Sequence, residues 1–124
     1  VTRQSDALRD RLGRFVTGAA VDLANETLGI LREVTPVDTG AARAGWRIEP
    51  GAAGAVSVRN DEEHVRYLNE GSSKQAPAGF VEAAVAQAVV NVRARRGRAG
   101  VRARDVQVSA PGIPTATARY RGRR

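Results

Sequence analysis

Three observations in the sequence predict a small α+β fold: two long helices packed with a sheet of three to four short strands, antiparallel or mixed. Apolar residues recur at helical spacing from Leu8 to Val34 and again from Phe80 to Val92. Between these stretches, and once more at 106–108, the period falls to two, the spacing of half-buried strands. Pro and Gly gather at the joints between the periodic segments. With 124 residues the chain has room for one hydrophobic core. The division expected is a single domain over 1–112, containing a basic arm or linker at 93–104, followed by a basic tail at 113–124.

The first helix is expected over 5–34. Leu8, Leu12, Phe15, Val16, Ala19, Leu23, Ile30, Leu31 and Val34 form its stripe, with Ser5 as N-cap and Asp6 near the positive end of the dipole. Gly13, Gly18 and Gly29 each weaken it by about 1 kcal/mol relative to Ala, so packing must hold it, and Gly29 is the candidate position for a break. Pro36 pushes Thr35 out of helical geometry and Gly40 supplies a turn. Strands follow at 44–49 and 55–60, joined by a hairpin connection at 50–54. In the second, Val56 and Val58 alternate with Ser57 and Arg59. Asn60 and Glu63 are spaced as a capping box for a short helix through Leu68, with Val65 and Leu68 facing the core.

Residues 70–77 read as a loop, and the second long helix starts near Pro77 or Ala78. Its stripe is Phe80, Val81, Ala84, Val85, Ala88, Val89 and Val92. After Arg93 the periodicity disappears, so an exposed arm is expected. Val106-Gln107-Val108 reads as a further strand that ends at Pro111-Gly112. From Ile113 the tail has little to bury, and 116–124 is expected to be mobile without a partner.

Composition narrows the function classes. Cys is absent, which removes disulfides, zinc-thiolate sites and cysteine nucleophiles together. His64 is the only histidine, and the run Asp61-Glu62-Glu63-His64 reads as a charged first turn of a helix. No nucleophile elbow, Walker sequence or dinucleotide fingerprint is present, so neither catalytic residues nor a cofactor or metal are expected. No apolar run is long enough to span a bilayer, and no signal peptide opens the sequence. The five aromatics, Phe15, Trp46, Tyr67, Phe80 and Tyr120, leave a core of Val, Leu, Ile and Ala, and so thin a core predicts further burial against sibling chains.

The formal charge of +7 is unevenly placed. Residues 1–90 carry ten basic and twelve acidic groups, a balance of −2, whereas 91–124 carry ten Arg against Asp105 alone, a balance of +9. Lys74 is the only Lys, as expected of a G+C-rich coding sequence.

Two segments are more specific: Thr35-Pro36-Val37-Asp38-Thr39-Gly40-Ala41-Ala42-Arg43-Ala44-Gly45-Trp46, and Tyr67-Leu68-Asn69-Glu70-Gly71-Ser72-Ser73-Lys74-Gln75-Ala76-Pro77-Ala78-Gly79-Phe80-Val81. Together they resemble the tail-completion or tail-to-head-joining proteins of long-tailed bacteriophages. There a long helix leads into a Thr-Pro-Val-Asp-Thr-Gly-x-x-Arg turn, and a Tyr, Leu, Gly, Ser, Lys, Gln and Pro loop precedes the last long helix. The resemblance covers roughly residues 5–95 and leaves the Arg-rich end outside it. It implies a structural virion subunit, assembled in the host cytoplasm, that forms a ring of six copies at the neck between capsid and tail. Its partners would be further copies of itself and the flanking neck and tail proteins, with no membrane and no small-molecule substrate. Candidate contacts are Trp46, Lys74, Gln75, Arg93, Arg95, Arg96, Arg98, Arg102 and Arg104, while Pro36, Asp38 and Gly40 shape the turn. A second reading is a nucleic-acid-binding protein without sequence preference, its Arg-rich C-terminus neutralising phosphates, including those of DNA in the neck channel.

Overall fold

The computed structural model describes residues 17–35, 41–51, 55–63, 65–66, 79–111 and 113–117. It is an α+β arrangement: helix α1 (Gly18–Val34), a short helix α2 (Ala41–Ala44), strands β1 (Arg47–Pro50) and β2 (Val56–Arg59), helix α3 (Phe80–Arg96), a 3-10 turn (Ala103–Asp105), and strands β3 (Val106–Ala110) and β4 (Ile113–Thr117).

Helix α1 opens at Thr17, whose extended backbone (φ −78°, ψ 160°) stands outside the helix while its side chain accepts a hydrogen bond from the Ala20 N–H at 3.0 Å. The helix expected to run continuously from Ser5 therefore does not pass through Thr17. A threonine hydroxyl can cap a helix as readily as it can ride through one, and apolar spacing does not distinguish the two. The part of that expectation before Thr17 lies outside the described residues, as do Lys74, Gln75, Pro36, Asp38 and Gly40. No break occurs at Gly29; the helix runs on to Val34. Thr35 then turns extended (ψ 123°), as its position before Pro36 dictates.

The strand expected from Ala44 starts later. Ala41–Ala44 is a helical turn closed by the Gly45 N–H on the Ala42 carbonyl, and β1 begins at Arg47. Its hairpin partner β2 falls where the Val56/Val58 alternation placed it. At the hairpin, Gly51 donates to the Ala55 carbonyl at 2.9 Å. A Cβ at Gly51 would lie 3.0 Å from the Ala55 carbonyl oxygen, a tight contact with backbone that favours glycine there.

The four strands pair in sequence order, β1 and β2 antiparallel, β2 and β3 parallel, β3 and β4 antiparallel. The sheet is thus mixed, and α3 lies within the crossover that a parallel pair needs. β4 corrects the reading of a tail that starts at Ile113. Pro114 fits there because β4 is the outer strand of the order.

One face of the sheet, with Ile48, Val56, Val58, Val106 and Val108, is buried. α1 packs on that side against β1, β2 and β3 and makes its largest contact with α3. Both helices and the sheet share one core of Val, Ala, Leu and Ile, to which Trp46 and Phe80 add the aromatic area. Among the described residues the exposed large apolar side chains are Val34 and Val90. The apolar surplus expected to seek sibling chains is therefore nearly absent from this body.

Candidate functional site: a buried polar lock and a cationic sheet end

The first motif segment is held by a chain of hydrogen bonds. Trp46 is 1% exposed, and its Nε1–H donates to Thr35 Oγ1 at 2.9 Å, while the Thr35 hydroxyl donates to the Leu31 carbonyl. The Trp46 carbonyl accepts from Arg32 Nη2 at 3.1 Å. Arg43 donates from Nε to the Thr35 carbonyl at 3.1 Å and from Nη2 to the Glu33 carbonyl at 3.3 Å, which covers two of the end carbonyls left open by α1. The residues on either side of 36–40 are thereby pinned to each other. Trp46 was expected as a candidate contact residue, yet the structure makes it core.

Asn60 extends the lock. Fully buried, it donates from Nδ2 to the Ala42 carbonyl at 2.7 Å and accepts the Glu62 N–H on Oδ1 at 2.8 Å. The capping box is half realised. Asn60 does cap the following turn, but its own N–H goes to the Ser109 carbonyl at 3.0 Å, and Glu63 lies 3.8 Å from Arg66. The sheet took the donor that Glu63 was expected to reach. Val65 is buried as expected, and Leu68 lies outside the described residues. Every buried side-chain polar atom among the described residues has a partner. Such a lock holds backbone shape.

At the surface, Arg47 and Arg59 sit opposite each other across β1 and β2, a repulsive placement that Asp61 resolves. Asp61 accepts from Arg47 Nη2 at 2.6 Å and from Arg59 Nε at 3.0 Å, and Arg47 also reaches Glu49 at 2.7 Å. The hydrogen bonds from Arg47 and then Arg59 hold the Asp61 carboxyl below the usual carboxylate range, and Asp61, then Glu49, push the Arg47 guanidinium up. All of these side chains remain in water, so the network orders the surface more than it stabilises it.

The six described arginines after Asn91 divide into two groups. Arg93, Arg95 and Arg96 are not an exposed arm; they form the last turn of α3. Arg93 bonds the Val101 carbonyl at 3.0 and 3.3 Å, Arg95 meets Glu26 at 3.0 Å, and Arg96 pairs with Asp22. Asn91 adds a bond to Glu26 at 2.8 Å, so an acidic edge of α1 is matched to the basic end of α3. Helical periodicity misses this because arginine stems continue a helix without marking it as apolar. Arg98, Arg102 and Arg104 instead project from the connection into β3 and are exposed.

Comparison with family models, with curated proteins and with solved structures returned no match. Among the described residues no group of three or more His, Asp or Glu side chains converges, and no helix is long and apolar enough to cross a membrane.

Proposed function

We propose that this chain is a structural, ring-forming subunit of the tail-completion or head-to-tail joining type, standing at the neck of a long-tailed bacteriophage. The observation that carries the reading is the engagement of Thr35, Arg43 and Trp46 with one another's surroundings. Arg43 and Trp46, the ninth and last residues of the segment that resembles this family, both bond back to Thr35, its first. A motif whose residues bond to each other serves architecture, and a turn held on a rigid scaffold is suited to meeting a neighbour. Because the described body covers its own apolar side chains, subunit contacts in this reading run through polar and charged surface, as in many interfaces between separately folded proteins.

Immunolabelling of intact particles tests the reading. An antibody against this chain is expected to mark one point per particle, where capsid meets tail. Label distributed along the tail or over the capsid, or particles that lack the chain, would reject it.

A further inference from the structure

We propose that the end of the sheet where β3 begins docks the phosphate backbone of duplex DNA through Arg98, Arg102 and Arg104. This inference stands apart from the ring reading and can hold without it.

The cations of the basic stretch are not equivalent. Arg93, Arg95 and Arg96 are paired with Val101, Glu26 and Asp22, whereas the guanidinium groups of Arg98 and Arg104 meet no hydrogen-bond or ion-pair partner among the described residues. Arg102 is engaged only at Nε, by Asp105 at 3.2 Å, which leaves the other N–H donors of its guanidinium available. The backbone that carries the three is anchored. Val101 is 1% exposed, its carbonyl is held by Arg93, its N–H meets the Arg98 carbonyl at 3.3 Å, and the Asp105 N–H meets the Arg102 carbonyl at 3.0 Å. Three guanidinium groups on a fixed turn lose less freedom on binding than the same groups on a solvated tail.

Topology brings the end of β4 to the same place. β4 runs antiparallel to β3, so Thr117 lies opposite Gln107, at the start of β3, and β4 also touches the 3-10 turn at Ala103–Asp105. The chain therefore leaves β4 beside Arg102 and Arg104, and Arg119 is two residues further along the sequence.

The chemistry favours a polyphosphate over a protein surface. Residues 98–105 carry three arginines against Asp105 alone, so the turn presents net positive charge to a polyanion. Phosphate neutralisation needs only guanidinium groups with free donors, and it carries no sequence preference.

The test is fluorescence anisotropy of a random-sequence duplex with the full chain. Wild type is compared with Arg98→Ala/Arg104→Ala and with a charge-matched control, Arg59→Ala/Arg66→Ala; circular dichroism checks that all are folded. Binding of the first variant is expected to be weaker at low salt, and its loss of affinity between about 50 and 200 mM salt to shrink about tenfold relative to wild type, the value for two lost phosphate contacts. The control is expected to bind as wild type does. Equal weakening of both variants, no wild-type binding at low salt, or preferential binding of poly-glutamate at matched charge would overturn the proposal.

Discussion

Thr35 is the residue on which the lock turns, since its hydroxyl accepts from the buried Trp46 indole and donates to Leu31. Thr35→Val keeps the shape and strands the indole N–H, so urea denaturation is expected to show a loss of about 1–3 kcal/mol. In a double-mutant cycle with Trp46→Phe, the two losses should sum to more than the double variant shows, because the second change removes the group that the first left unpaired. Asn60→Asp keeps the cap on Glu62 but sets a carboxylate against the Ala42 carbonyl in a fully buried position. It is expected to destabilise strongly at neutral pH and to recover as acid protonates the new carboxyl, which shows in thermal melts across pH. Asp61 runs the other way. Its carboxyl is held below the ordinary range, so its contribution is present above that range and is lost as pH falls through the depressed value. Carboxyl NMR titration should place it low in wild type and return it upward in Arg47→Ala.

At the scale of elements, the end of α3 depends on a glycine. Gly97 ends α3 at φ +87°, with its N–H on the Arg93 carbonyl at 2.8 Å, and Gly97→Ala is expected to cost about 1–2 kcal/mol of unfolding free energy. Ending the chain after Gly112 removes β4 and bares the edge of β3; aggregation during refolding, read by light scattering, is the expected outcome. These elements also show what the sequence disclosed. α3 was legible because Phe80, Ala84, Ala88 and Val92 keep one face buried over four turns, and β2 because Val56 and Val58 alternate with polar neighbours. The start of α1 was not, because a hydroxyl at Thr17 can end or continue a helix according to its surroundings. β4 was hidden because Pro114 argues against a strand until the strand order places it on the outside. Of the site, the Thr35-Pro36 break and the Asn60 cap were visible as local chemistry. Their partners Trp46, Ala42 and Ser109 were not, since a hydrogen bond across a fold has no fixed spacing along the chain.

At the scale of the whole molecule, the described body satisfies its own apolar demand, and what it offers outward is charge: the Asp61 network at one end of the sheet and Arg98, Arg102 and Arg104 at the other. Assembly through such surface should weaken with added salt, since contacts between exposed charges are screened over about 8 Å at physiological ionic strength. Sedimentation velocity of the purified chain over a range of loading concentrations, at low and high salt, is the direct test of the claim that it builds a closed ring. The account requires a discrete species whose mass is one fixed multiple of 13.2 kDa and stops growing as concentration rises. A single 13.2 kDa species at every concentration and salt, or an open series of ever larger polymers, would contradict it.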